Sequence, residues 1–141
     1  MTRLGLKDEL LDAQTLRAAG SAPYGGADVG ECLAAAGRVH GTDLTGWHDA
    51  WASAGASALA VAEGALDAGQ TESARLAFWR SSSYFRTAGV MLMGTPLDSR
   101  LVQSNVAQTD AFRRGAALLA LAGLWNFENI WIEAGQAVPL S

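Results

Sequence analysis

The sequence predicts an all-α fold, an irregular bundle of about five helices with a short C-terminal β-ribbon or extended tail. Alanine and glycine are abundant, and β-branched residues are sparse until the last dozen positions. Apolar residues recur at three- and four-residue spacing, which places them on one face of a helix. The length of 141 residues fits a single domain over residues 1–141.

The first helix is expected at about residues 7–19, with Gly20 as its C-cap. Residues 21–26 contain a proline and two glycines and predict a loop. Asp28 then stands at an N-cap position, and Glu31 follows three residues later, which is the spacing of a capping box. The second helix behind this pair has one apolar face, made of Val29, Cys32, Leu33, Ala36 and Val39.

Three longer helices follow. The third is expected from about residue 45 until Gly69 ends it, and the fourth from about residue 71 to about residue 93. Residues 94–96, glycine, threonine and proline, interrupt the helical pattern because proline cannot continue a helix. The fifth helix is expected at about residues 97–121.

The C-terminal residues predict a different structure. Residues 130–133 are rich in β-branched and aromatic side chains and are followed by a turn-like segment and residues 137–139. This order predicts a short strand, a turn and the start of a second strand. Residues 126–141 are therefore expected to form a strand-like tail, after an N-terminal helix and loop at 1–23 and lid-like helices at 24–125.

Composition and charge exclude several classes of function. The net charge is −4, with 10 basic against 14 acidic residues, so no basic face is available for nucleic acid. The longest apolar run, residues 115–125, is about half of what a membrane-spanning helix needs. The single cysteine, Cys32, fits a reducing compartment. We therefore expect a cytoplasmic protein that binds neither nucleic acid nor membrane.

One order of motifs resembles a known family. Residues 24–33 read YGGADVGECL, a helix with Trp47 and Trp51 follows, and residues 73–88 read SARLAFWRSSSYFRTA. This order resembles the N-terminal helical region of the α/β-hydrolase group that includes 2,6-dihydropseudooxynicotine hydrolase and the fungal polyketide-shortening hydrolases. The resemblance implies a helical segment that precedes the hydrolase sheet, covers its active site and contributes to dimer contacts.

The catalytic serine of that group would lie on a Gly-x-Ser-x-Gly elbow. The closest string here, residues 51–55, lacks the first glycine and lies inside a predicted helix. The sequence therefore predicts a lid without its hydrolase, which is not a serine hydrolase by itself. No cofactor is expected. No metal is expected either, because the two histidines and one cysteine lack metal-ligand spacing.

Four residues are candidates for catalysis: Asp28, Glu31, Tyr84 and Arg86. A carboxylate at Asp28 or Glu31 could transfer a proton, although the same pair could serve only as a helix cap. Tyr84 places a hydroxyl on an otherwise apolar face, and Arg86 could neutralise developing negative charge. Candidates for substrate binding are Tyr24, Trp47, Trp51, Trp79 and Ser83. A ligand pocket is expected between the loop at residues 24–31 and the helix at residues 79–86, because both carry polar groups that helix packing does not require. The alternative role of the tryptophans is packing in a core or interface. The alternative role of Ser83 and of the two serines before it is close packing between helices.

Two classes of function are predicted. In the first, a stand-alone lid-like protein binds a polyketide-like small molecule in secondary metabolism and catalyses a non-covalent cyclisation, isomerisation or dehydration. In the second, the chain is a non-catalytic module or a truncated hydrolase fragment that covers a separate hydrolase. The expected partners are a small-molecule ligand and a second copy of the chain, because a lid without its sheet would expose an apolar patch.

Overall fold

The computed structural model describes residue 6 and residues 8–136. Its elements are α1 (Glu9–Ala19), a 3-10 turn (Ala22–Tyr24), α2 (Val29–Ala36), α3 (Leu44–Asp67), α4 (Thr71–Gly89) and α5 (Ser99–Gln136). The all-α prediction is confirmed, and the structure has five α-helices, as predicted. The fourth helix ends at Gly89, a few residues before the predicted end at about residue 93, and the second ends at Ala36, before the last residue of its predicted apolar face, Val39.

Aspartates begin the first three helices, as their positions before each apolar pattern suggest. The side chain of Asp8 accepts hydrogen bonds from two amides of the first turn of α1. Asp28 and Asp43 accept one amide each at the starts of α2 and α3. Each cap satisfies backbone donors that have no partner within the helix.

The strand predicted at residues 130–133 is wrong, because these residues continue α5 to Gln136. Once a helix is formed, each further residue adds one hydrogen bond, whereas a two-stranded ribbon is marginal in water. Residues 116–136 contain no proline and no two adjacent glycines that would interrupt the helix. The described chain contains no strand, and the second strand expected at residues 137–139 lies outside the described residues.

The core lies between α4 and its two long neighbours. Trp47 and Trp51 of α3 and Phe78 and Tyr84 of α4 are fully buried. Two further helices, α1 and α2, close this core with Leu11 and with small buried residues. Apolar burial of this kind is the main stabilising contribution to a helical domain of this size.

Glycines allow α4 to approach both neighbours closely. A Cβ on Gly55 of α3 would lie 3.0 Å from the ring of Phe85. A Cβ on Gly115 of α5 would lie 2.6 Å from Cδ1 of Trp79. The aromatic rings of α4 therefore occupy the space that side chains at these two positions would fill.

The three serines of α4 point in different directions, because successive residues of a helix are rotated by about 100°. The Ser81 hydroxyl donates to the carbonyl of Gly55 in α3 at 2.9 Å. The Ser82 hydroxyl donates to the carbonyl of Gln108 in α5 at 2.9 Å. Two of the serines therefore join helices, and only Ser83 requires another explanation.

Beyond Leu118, which still packs on the core, α5 leaves its large apolar side chains largely uncovered by the described residues. Its large apolar side chains are about half to two-thirds exposed: Leu119, Leu121, Leu124, Trp125, Phe127, Ile130, Trp131 and Ile132. Such a surface exceeds the scattered apolar exposure that is normal for a monomer. None of the described helices combines the length and the apolar character that a membrane span requires.

Candidate functional site

The predicted catalytic residues Asp28, Glu31 and Tyr84 lie together at the start of α2. The Tyr84 hydroxyl accepts a hydrogen bond from the amide of Asp28 at 2.8 Å. It donates to the Glu31 carboxylate at 2.6 Å. The Asp28 carboxylate in turn accepts from the amide of Glu31 at 2.9 Å. We call these three residues with Arg80 the capping network.

The capping network is a capping box with a hydroxyl inserted into it. In the usual arrangement the Glu side chain accepts directly from the amide of the N-cap residue. The Tyr84 hydroxyl stands between the two groups and connects them, which ties α2 to α4. Arg80 completes the network, since its Nε donates to the Glu31 carboxylate at 3.2 Å.

Burial sets the protonation state of the two titratable core groups beside this network. Burial raises the pKa of Tyr84 above its ordinary value, and the hydrogen bond to Glu31 raises it further. Burial raises the pKa of Cys32 from 9.0 to about 11, and the negative charges of Glu31 and Asp28 add to the effect. At neutral pH both groups are therefore protonated, and Tyr84 is a hydrogen-bond donor toward Glu31.

The fourth predicted catalytic residue, Arg86, does not lie with the other three, because α4 directs it away from Tyr84. Arg86 follows Tyr84 by two residues, which is a rotation of about 200° around α4. It is exposed and lines a different part of the surface. Tyr84 itself is fully buried, so a ligand would reach its hydroxyl only if the core opened.

The predicted substrate-binding residues are divided as well. Trp47 and Trp51 are fully buried, with ring centres 5.4 Å apart, and Trp51 lies 5.9 Å from Tyr84. The indole N–H of Trp47 donates to the carbonyl of Thr87 at 2.9 Å. Trp47 is therefore fully accounted for by core packing, whereas the buried indole N–H of Trp51 has no hydrogen-bond partner among the described residues. Ligand contact with either ring would require the core to open. Tyr24 is 81% exposed at the 3-10 turn.

Trp79 and Ser83 line a cleft together with Arg86. We call this cleft of about 290 Å³ the Ser83 cleft, and its other lining residues are Ser21, Gly26, Ser82, Gln108 and Phe112. It lies between the loop before α2 and the surfaces of α4 and α5. The loop is held against α4 at Gly25, whose φ of +76° favours glycine and whose Cβ would lie 2.6 Å from Leu76.

Two polar atoms of the lining residues have no hydrogen-bond partner. The Ser83 hydroxyl and the indole nitrogen of Trp79 are buried and unpaired within the described structure. A buried polar atom without a partner costs free energy, so it indicates a ligand, an ordered water or strain. The lining includes no carboxylate, and Arg86 gives it a positive charge.

No sequence pattern indicated that α5 contributes to this cleft. Phe112 is an apolar residue of α5, and its side chain is 55% exposed beside the cleft. Gln108 and Ser21 have no motif around them. The side chains of this cleft that gave a sequence signal all lie on α4, where three successive serines, which are unfavourable inside a helix, stand close to Trp79 and Arg86.

A second polar cluster joins α3 to α5. Nε2 of His48 lies 3.3 Å from the Ser104 hydroxyl, and its Nδ1 lies 3.0 Å from the Asp49 carboxylate. This order of contacts is that of a serine hydrolase triad. Ser104, however, is buried, and its Cβ lies 3.5 Å from the position that a Cβ on Gly89 would occupy. The cluster therefore serves to connect the two helices.

Comparison with known proteins identifies relatives among fungal hydrolases. Hydrolase LUC6 of a Fusarium species is 43% identical over 124 residues, which cover 88% of this chain and 29% of the relative. The 20-hydroxy-prefusarin hydrolase FUS2 of Gibberella moniliformis is 36% identical over 111 residues, or 79% and 26%. The α/β hydrolase psoB of Aspergillus fumigatus is 33% identical over 135 residues, or 94% and 30%.

The chain is homologous to part of these hydrolases of the α/β-hydrolase group. The resemblance inferred from the Tyr24 and Ser73 motifs is thereby confirmed. The chain spans between about a quarter and a third of the length of these relatives. No family model matches it, and no solved structure matches it significantly.

Proposed function

We propose that this segment is the helical, substrate-binding part of a hydrolase of secondary metabolism, and that it binds a polyketide-like small molecule in the Ser83 cleft. The unpaired Ser83 hydroxyl carries this proposal. The hydroxyls of Ser81 and Ser82 both form hydrogen bonds between helices, whereas the Ser83 hydroxyl is buried at the cleft without a hydrogen-bond partner. A ligand oxygen in the cleft would satisfy this hydroxyl.

The lining fits a flat, oxygen-rich molecule. Trp79 and Phe112 offer aromatic surface, and Ser83 and Arg86 offer hydrogen-bond donors. A ring can pack on the aromatic side chains while a carbonyl, enolate or carboxylate oxygen accepts from the donors. One relative is named as a hydrolase of 20-hydroxy-prefusarin, which supports a small organic molecule as the ligand class.

Any reaction in the cleft itself would be a non-covalent one. Cyclisation, isomerisation and dehydration need a positioned substrate and one or two polar groups. Arg86 is the group that we propose to stabilise negative charge on a ligand oxygen. The capping network is not part of this proposal, because its hydrogen bonds are used between α2 and α4.

A second candidate function is that the segment covers a separate hydrolase without chemistry of its own. The exposed apolar surface at the end of α5 favours this alternative. A surface of this character is typical of a protein–protein contact. The two functions are compatible, since a cover can also bind the substrate.

Binding of benzoylacetone, an aromatic β-diketone, tests the proposed function. We expect saturable binding by isothermal titration calorimetry and an affinity about five-fold lower in Ser83→Ala, the effect of one neutral hydrogen bond. The free energy of unfolding of Ser83→Ala should not fall, because the hydroxyl has no partner to lose. Ser53→Ala, at an exposed serine of α3, is the matched control. Equal affinities of the Ser83→Ala, Phe112→Ala and unmodified chains would refute the cleft as the site.

A further inference from the structure

We infer that a second pocket, between α1 and α4, binds the carboxylate end of the ligand whose body lies in the Ser83 cleft. This inference rests on the proposed function for the body of the ligand. The pocket measures about 60 Å³ and is lined by Gln14, Arg17, Ala18, Arg86, Thr87 and Val90. We call it the two-arginine pocket.

Arg17 and Arg86 differ from the other described arginines in their charged surroundings. Arg75, Arg80, Arg100 and Arg114 each pair with a carboxylate. Arg38 and Arg113 form no ion pair among the described residues, but the pocket that each of them lines includes an acidic residue, Glu31 or Asp110. No carboxylate lies within ion-pair distance of Arg17 or Arg86 in the part of the chain that the structure describes, and none lines the pocket. Two like charges on one small pocket repel each other, and an anion between them would offset this repulsion.

The position of each arginine in the last turn of a helix offers a simpler explanation, because cations are favourable there. For Arg17 this explanation is incomplete. The carbonyl of Leu16 already accepts from the amide of Gly20, and that of Ala18 accepts from the amide and hydroxyl of Ser21. The dipole effect also gives no reason for both guanidinium groups to line the same pocket.

The size of the pocket selects the group that it can hold. A volume of about 60 Å³ is small, and it suits a group of the size of a carboxylate better than a ring. Guanidinium groups match a carboxylate geometrically, and the Gln14 amide can add a further donor. The Thr87 hydroxyl is already used, since it donates to the carbonyl of Ser83 at 2.8 Å.

Arg86 connects the two-arginine pocket with the Ser83 cleft, because it lines both. A single molecule can therefore place its carboxylate beside Arg17 and Arg86 and its apolar body beside Trp79 and Phe112. The inferred ligand class is an aromatic or polyene carboxylic acid. Both arginines are exposed, so the pocket is open to solvent and accessible to such a molecule.

The affinities of 2-naphthoate and its methyl ester test this inference. We expect the carboxylate to bind about ten-fold or more tightly than the ester, because hydrogen bonds to charged groups are stronger than neutral ones. Arg17→Ala should bring this ratio close to one and leave ester binding unchanged. Arg17→Lys should give an intermediate ratio, because lysine keeps the charge and loses the planar fork. Arg113→Ala, at an exposed arginine of α5 in another pocket, should behave like the unmodified chain.

The outcomes separate this inference from the proposed function. If naphthoate and ester bind equally in all variants and Ser83→Ala weakens both, the inference is wrong and the proposed function stands. If only naphthoate binds and only Arg17→Ala weakens it, the two-arginine pocket is a carboxylate site, and the placement of the ligand body in the Ser83 cleft is wrong. If neither compound binds, both are wrong.

Discussion

The Tyr84 hydroxyl is a structural group shared by two helices. It accepts a hydrogen bond from the amide of Asp28 and donates one to the Glu31 carboxylate. Removing the hydroxyl would therefore leave the Asp28 amide without its acceptor and the Glu31 carboxylate with one donor fewer. The sequence showed a capping box and, separately, a hydroxyl on an apolar face. It could not show that these features are one network, because Asp28 and Tyr84 are 56 residues apart.

Tyr84→Phe should lower the free energy of unfolding by about 1–3 kcal/mol, the cost of leaving buried polar groups unsatisfied. Urea denaturation measures this change. Tyr24→Phe is the matched control, because the Tyr24 side chain is 81% exposed, and its stability should stay within about 0.5 kcal/mol. An unchanged stability in Tyr84→Phe would contradict the structural role.

Cys32 should contribute to the loss of stability in alkaline solution. Its pKa rises from 9.0 in the unfolded chain to about 11 in the folded chain. Between these values the folded state keeps a proton that the unfolded state loses, so the free energy of unfolding falls as the pH rises. Below pH 9 the thiol is protonated in both states and has no effect on the pH dependence.

Urea denaturation of Cys32→Ser as a function of pH tests this contribution. Serine does not titrate in this range, so the fall in stability between pH 9 and 11 should be smaller than in the unmodified chain. Tyr84 also has a raised pKa, to which Cys32 contributes, and it remains in both proteins. The difference between them therefore reports Cys32 together with its coupling to Tyr84. Identical pH profiles would argue against the effect.

At the scale of elements, α4 organises the molecule through small residues at its contacts. Gly55 of α3 and Gly115 of α5 leave space for Phe85 and Trp79. The abundance of glycine and alanine predicted such close approach, but the pairs themselves depend on tertiary packing. The same limit explains the wrong strand at residues 130–133, where β-propensity gave way to the continuation of α5.

Gly115→Ala should destabilise the chain by about 1–3 kcal/mol, because the added Cβ would lie 2.6 Å from Trp79. Gly123→Ala in the same helix is the control, since nothing lies within 4 Å of its Cβ position. That control should be stabilised by about 0.5–1 kcal/mol, because alanine is the better helix former. Thermal and urea unfolding measure both changes, and equal effects of the two variants would contradict the packing described for Trp79.

For the site, the sequence correctly indicated that the loop before α2 and the fourth helix lie close together. It also selected Trp79, Ser83 and Arg86, which line one cleft. It could not separate them from the rings of Trp47 and Trp51, because a tryptophan on a helical stripe looks the same whether it packs in the core or at a cleft. Arg17 had no signal, since an arginine near a helix end is common.

At the scale of the whole molecule, the apolar end of α5 predicts self-association. Its eight large apolar side chains expose roughly 800 Å² together if each offers about 100 Å², which is about one side of a standard interface. We therefore expect a dimer by sedimentation velocity at micromolar concentration. Trp131→Glu should shift it to monomer, and Met93→Glu, at a residue 84% exposed elsewhere, should not. A monomeric unmodified chain would contradict this prediction.

The uneven packing of α5 also has a consequence for dynamics. The helix has 38 residues and is about 57 Å long, and its first half packs on α4 while its second half is mostly exposed. Helical turns without tertiary contacts are only marginally stable, so amide hydrogen exchange should become faster toward Gln136. A partner that covers this end would therefore slow exchange there as well as bind to it. Part of its contact energy would be used to order the helix, which couples recognition to local folding.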